Sequence, residues 1–268
     1  MTGGAGADAN DTHDAVLYRE QDGVACITLN RPARRNAIDL PLRAALLAAI
    51  ERAGASARVR AVLLTGAGGH FCAGGDLSTL QGDDPLTPDQ AAARMAPVVA
   101  CAQALLELPK PVIAAVDGMA YGGGLGLALC ADAIVATPDA RLCASFMRLG
   151  LVPDFLASFT LPRLVGLQRA RSLIYGAQEL SGREAHAIGL LGELADAGDL
   201  QACAMARAQA LGALSPVAFA LTKRALLLSL SSEVAGMAQH ELASQATALA
   251  TPEHRAALRE HLQARRSR

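Results

Sequence analysis

The alternation of apolar and polar residues along this chain changes character near residue 160. Before that point, short β-branched runs ending at glycine alternate with longer alanine- and leucine-rich stretches; after it, the helical pattern prevails. Residues 15–20 and 24–29 flank Gln21-Asp22-Gly23 and predict a β-hairpin with an Asp-Gly turn. Asp39 precedes Leu40-Pro41 and predicts a capped helix over 40–50. A strand at 60–65 follows, then a helix opened by the capping box Thr87-Pro88-Asp89-Gln90 and running to about residue 108. Next come a strand at 111–116, a helix over 123–130, and short strands at 133–136 and 141–144. Repeated β-then-α units predict a parallel or mixed sheet flanked by helices.

Beyond residue 160 the strand signal nearly disappears. Ser181-Gly182-Arg183-Glu184 is a second capping box, and Ser215-Pro216 and Thr251-Pro252 are cap-plus-proline starts, so the last third is predicted helical. The expected organisation is a disordered tail over 1–14, a core over 15–200 and a terminal helical region over 201–268. Residues 81–87 read as a mobile internal loop. No tandem repeat is apparent. Lys110, Asp117, Asp132 and Arg141 punctuate the most hydrophobic region, so no transmembrane helix is expected.

Composition narrows the classes of partner. The 268 residues suffice for one large domain, or one domain with a smaller appendage. With 24 basic and 25 acidic residues well interspersed, the net charge of −1 gives no footprint for nucleic acid or an anionic membrane. A small molecule or another protein is the expected partner. The basic terminus Arg265-Arg266-Ser267-Arg268 reads as solvated, with a phosphate contact as the alternative. Six cysteines (26, 72, 101, 130, 143 and 203) form no C-x-x-C pair and no metal-ligand spacing with histidine. They read as reduced, buried thiols, so a cytoplasmic protein without a metal site is expected.

Two glycine-rich stretches carry the chemistry. Phe71-Cys72-Ala73-Gly74-Gly75-Asp76 and Tyr121-Gly122-Gly123-Gly124-Leu125-Gly126 each follow a strand-like run, where exposed backbone N–H groups can grip a developing oxyanion. A dinucleotide fingerprint is not satisfied, because Leu127 stands where the third glycine is required, and neither cluster continues into a Walker loop. Cys72 lies inside the first loop but has no recognisable histidine partner for nucleophilic catalysis. His70 reads as a loop or helix-end residue, and Asp76 and Asp132 as helix caps.

Taken together, Arg31-Pro-Ala-Arg-Arg-Asn-Ala37, Phe71 to Leu77, Lys110 to Gly124, Gly150-Leu-Val-Pro-Asp154 and Ser181 to Leu190 resemble the crotonase, or enoyl-CoA hydratase/isomerase, family. Each motif alone is weak, but their order and spacing match from residue 15 to about 260. The resemblance implies an α/β spiral of ββα units with a C-terminal helical trimerisation region, assembled as a homotrimer or hexamer. It implies an acyl-CoA thioester as substrate, with coenzyme A entering as part of it and no permanently bound cofactor. The N–H groups of Gly75 and Gly123 match the family's oxyanion hole. Backbone near Ala37 and from Ala73 and Gly74 to Asp76 and Leu77 matches the coenzyme-binding segments. Tyr121, Phe146, Phe155 and Phe159 cluster in this central region and read as lining a shaped apolar pocket for a ring or branched acyl chain, with ordinary core as the alternative. Arg34 or Arg35 is placed to reach a coenzyme phosphate, although the usual basic position matches Ala33; a solvated arginine is the alternative.

The departures from the family sharpen the expectation. Hydratases of the family use two glutamates, and the matching positions are Gly126 and Phe146. Neither can move a proton. Asp154 matches the aspartate that carries catalysis in a branch containing isomerases, and Phe155 and Leu156 beside it are placed to desolvate it and raise its pKa. The resemblance thus points to enoyl-CoA double-bond isomerisation with Asp154 as acid/base. Hydration, and then hydrolysis or dehalogenation of a thioester-linked ring, are further alternatives, as is a catalytically silent CoA-thioester-binding subunit. Asp154 as a mere helix cap is the structural alternative.

Overall fold

The Asp22-Gly23 dipeptide turns the chain by taking left-handed backbone at both positions, with φ of 51° and 78°. A two-residue hairpin of the twist-compatible type requires that. Its strands, β1 (Val16–Gln21) and β2 (Val24–Leu29), pair antiparallel with Gln21 opposite Val24. The computed structural model describes residues 14–80, 86–229 and 231–266. The predicted N-terminal tail, apart from residue 14, lies outside them; so do residues 81–85 of the predicted loop and residues 267 and 268 of the basic terminus.

β2 continues into a mixed sheet with β3 (Ala61–Gly66), β4 (Val112–Val116), β6 (Ala133–Ala136) and β9 (Glu193–Leu194), in the order β1-β2-β3-β4-β6-β9. All pairings after the hairpin are parallel. Strands covered on both faces must be apolar on both, and the alternation is visible residue by residue. Val62, Leu64, Val112 and Ala114 pack with α1 (Leu40–Ala55) and α2 (Pro88–Glu107) in the larger core. Ala61, Leu63, Ile113 and Ala115 face the other way, onto Leu200, Ala204 and Ala208 of α7 (Leu200–Gly212). The predicted caps are in place: Asp39 accepts from the N–H of Leu42, and both halves of the Thr87/Gln90 and Ser181/Glu184 boxes form.

A second sheet joins β5 (Met119–Tyr121), β7 (Arg141–Cys143) and β8 (Glu179–Ser181). The chain passes from a strand of the first sheet to one of the second and into a helix: β4 to β5 to α3 (Gly123–Ala128), then β6 to β7 and on to α4 (Ala157–Val165). These are ββα turns. Beyond residue 160 the prediction of helix alone needs correcting, since β8 and β9 lie there between α5 (Leu167–Gly176), α6 (Gly182–Ala187) and α7. They are two or three residues long and exist through their partners, so no local period announces them. The chain ends in α8 (Pro216–Leu228), α9 (Val234–Leu249) and α10 (Pro252–Arg266). Among the described residues no single helix is long and apolar enough to cross a membrane; α7 and α8 reach that length only as a pair bent by 101°.

Candidate active site

The two glycine-rich loops are stitched together by backbone. Phe71 N–H donates to the Asp117 carbonyl at 2.8 Å, Cys72 N–H to Met119 at 2.8 Å, and Tyr121 N–H to Cys72 at 3.0 Å. The approach is so close at Gly124 that a Cβ there would stand 2.2 Å from the Cys72 carbonyl oxygen. Only glycine fits. On its other side the first loop pairs with the segment before α1: Ile38 N–H donates to Gly74, and Asp76 N–H donates to Ile38. Because that bridge uses the carbonyl of 74 and the N–H of 76, the N–H of Gly75 points to the opposite side. No hydrogen bond among the described residues consumes it, nor the N–H of Gly123 in the first turn of α3.

Arg31 and Asn36 hold this arrangement in register. Arg31 Nη1 donates to Asp76 Oδ2 at 2.9 Å and also to the Ala37 carbonyl, while Nη2 pairs with Asp39 Oδ2 at 3.0 Å. Asn36, fully buried in left-handed backbone at φ 57°, donates through Nδ2 to the carbonyls of Ala67 and His70 and accepts from Arg31 N–H. Asp76 also accepts from the N–H and hydroxyl of Ser78, and these bonds with Arg31 hold its carboxyl below the usual range. It caps a short 3-10 turn, as its position predicts.

Gly75 and Gly123 open onto one cavity of about 400 Å³. Of the residues singled out in the sequence, Ala73, Gly74, Asp76, Leu77, Tyr121, Phe146 and Asp154 line it as well. Arg34 and Ala37 do not: Arg34 is exposed on the short turn after Arg31, and Ala37 contributes its carbonyl to the Arg31 clasp. Asp154 follows Pro153, and its carboxylate comes within 3.0 Å of the point where a Cβ on Gly123 would stand. Its Oδ1 is buried without a hydrogen-bond partner. Burial pushes the carboxyl up to about 6, against the opposing pull of the Arg43 guanidinium. The chain then turns through Phe155 and Leu156, both left-handed at φ 46° and 55°, with Phe155 fully buried.

That turn explains Gly126. A Cβ there would lie 2.8 Å from the Asp154 carbonyl oxygen and 2.8 Å from Phe155 Cβ. No carboxylate fits at 126 beside this turn, and at 146 a buried phenyl ring lines the cavity. Cys72 is fully buried against the Asn36 carbonyl, and burial pushes its thiol up to about 12, so it is not a nucleophile at neutral pH. His70 accepts through Nδ1 from Met119 N–H, a loop-holding bond. Asp132 is not a helix cap: it binds the Val112 N–H at 2.8 Å and Lys223 Nζ of α8 at 2.7 Å. Sequence reasoning missed the cationic lining, Arg43 of α1, Arg94 of α2 and Arg148. An arginine on an amphipathic helix carries the signal of an exposed residue, and only the packing of α1 on α2 buries Arg43.

Comparison with known proteins agrees with this architecture. The profile of the family described as Enoyl-CoA hydratase/isomerase matches residues 19–266. The 1,2-epoxyphenylacetyl-CoA isomerase of Escherichia coli (strain K12) is 37% identical over 183 residues, covering 68% of this chain and 70% of its own. The crystal structure of an enoyl-CoA hydratase/isomerase from Cupriavidus metallidurans CH34 superposes with a TM-score of 0.88 at 40% identity, covering 93% of this chain and 94% of that one. That of an enoyl-CoA hydratase from Polaromonas sp. JS666 gives 0.88 at 30% identity over 92% and 96%. With the profile spanning both glycine loops, Asp154 and the terminal helices, the chain belongs to the enoyl-CoA hydratase/isomerase family, of crotonase fold.

Proposed function

We propose that the protein isomerises the double bond of an enoyl-CoA thioester, with Asp154 as the single acid/base. The thioester oxygen sits between the N–H groups of Gly75 and Gly123. Asp154 removes a proton from C2 of a 3-enoyl thioester, the enolate oxygen is stabilised by the two donors, and the proton returns at C4. One carboxylate serves both transfers. A donor of this kind is worth about 3–4 kcal/mol of transition-state stabilisation. The observation that carries the reading is the Asp154 carboxylate beside Gly123, with an unpartnered oxygen and a raised pKa, in a cavity whose other carboxylate among the described residues, Asp76, is bonded to Arg31 and Ser78.

Hydration is the second reading, favoured by the hydratase name of the Polaromonas relative. It requires a further group to activate water, and positions 126 and 146 supply none. The coenzyme is carried in with the substrate, its adenine and pantetheine portions lying along Ala37 and the 73–77 loop, with Arg34 at a phosphate. The assembly is a homotrimer or a pair of trimers, a reading supported by the exposed Leu226, Val234 and Leu242 of the last helices. Wild type and Asp154→Asn, incubated with matched 2-enoyl and 3-enoyl thioesters while double-bond position and water addition are followed, test the chemistry. A loss of isomerisation of about 10²–10⁴-fold is expected. Undiminished isomerisation removes Asp154 from the mechanism, and water addition without isomerisation establishes hydration instead.

A further inference from the structure

Three side-chain atoms among the described residues are buried with no hydrogen-bond partner: Arg43 Nε, Tyr121 OH and Asp154 Oδ1. All three residues line the same cavity. Buried polar atoms are ordinarily paired, and an unpaired ion is costlier than an unpaired neutral group, so this clustering marks a site kept for a purpose other than stability. Two of the three residues carry opposite charges.

Arg43 projects from α1 and is 6% exposed. Among the described residues one of its five N–H donors is used, Nη1 to the Arg94 carbonyl at 2.7 Å. No carboxylate among the described residues forms a contact ion pair with it. Asp39, whose charge also acts on Arg43, is committed to Arg31 and the Leu42 N–H, and Asp76 in the same cavity to Arg31 and Ser78. Among the described residues that line the cavity, Asp154 is the carboxylate left over. From the first glycine loop and the end of α3, Cys72 and Cys130 face it as thiols that burial pushes up to about 12, hence neutral. From α2, Arg94 acts on Arg43 as a like charge. The field of Arg43, together with a backbone hydrogen bond, opposes the burial of Asp154; Arg148, which also lines the cavity, donates to the Ala177 carbonyl.

We propose that Arg43 is a positioning residue for Asp154: its buried guanidinium is the counter-charge that keeps the carboxylate ionised and ready as a base before the thioester enters. The inference rests on the role of Asp154 proposed above. A base in an apolar cavity must resist two outcomes, protonation and withdrawal into a contact ion pair. A cation held nearby by a backbone carbonyl, without touching the carboxylate, guards against both.

The test is a carbon-13 NMR titration of aspartate-labelled protein, with the Asp154 signal assigned by its absence in Asp154→Asn. Wild type, Arg43→Met and Arg43→Lys are compared, alongside pH profiles of kcat and KM. In Arg43→Met the Asp154 midpoint rises by about one unit or more, a tenfold change in proton affinity, and the acid limb of kcat follows it. Arg43→Lys returns the midpoint towards the wild-type value. A midpoint unchanged or lowered in Arg43→Met overturns the proposal, whatever happens to activity: packing loosened by the substitution admits water and lowers the midpoint, whereas loss of the counter-charge raises it. If that variant fails to fold, Arg43→Gln, which removes the charge but keeps a polar group on α1, answers the same question. Full isomerase activity in Asp154→Asn sinks the assigned role of Asp154, while the NMR midpoints still report whether Arg43 governs its charge.

Discussion

Asp154 stands where burial works against its charge, and this has a measurable cost. Its carboxyl is held up to about 6, against an ordinary value of 3.8, so between these pH values the folded state binds more proton than the unfolded chain. Stability is therefore lost as pH rises through that window and stays at the lower level above it. Asp154→Asn should gain about 2–3 kcal/mol over wild type at pH 8, a gain that shrinks towards zero below pH 4, as read from urea melts at the two pH values. The companion prediction concerns Gly126. Alanine favours a helix over glycine by about 1 kcal/mol, but a Cβ 2.8 Å from both the Asp154 carbonyl and Phe155 Cβ must displace backbone. The clash wins: Gly126→Ala should lose about 1–3 kcal/mol in the same melts, and a gain in stability would show that the turn can yield.

At the scale of elements, the site depends on three segments far apart in sequence: the one leading into α1 and the two glycine loops. Arg31 clasps the first two through Ala37, Asp39 and Asp76. Arg31→Ala should therefore raise KM for an acyl-CoA about tenfold, equivalent to 1.4 kcal/mol, with a smaller effect on kcat. Steady-state kinetics check it; an unchanged KM would mean the loop holds its shape through backbone pairing alone. The hairpin, the capped helices and the β3 and β4 runs were legible because each carries its whole signal locally, in an Asp-Gly pair, a Thr-x-x-Gln box or an unbroken apolar stretch. β5, β8 and β9 were not, since strands of two or three residues are defined by what lies beside them. The glycine loops could be located from composition. That Gly75 and Gly123 share a cavity with Asp154, and that Arg43 joins them, follows only from how α1, α2 and the 154–156 turn come together.

Across the whole molecule, the apolar surface is unevenly spread. Val234 is 87% exposed and Leu242 74%, both on α9, which packs chiefly against α8 and α10. A helix with such a surface is expected to be covered in an assembly. If the exposed face of α9 is covered in an assembly, Leu242→Glu shifts the protein to smaller species in sedimentation velocity at micromolar concentration; an unaltered distribution would show that this face makes no subunit contact. The contact between Gly126 and the Phe155 turn reaches further still. It makes the two ways of arming this cavity mutually exclusive: the turn that delivers an aspartate at 154 occupies the space that an acidic side chain at 126 would need. With the backbone at 154–156 as it stands a carboxylate at 126 has no room, so exchanging one arrangement for the other asks for a shift of that turn as well as a change of residue.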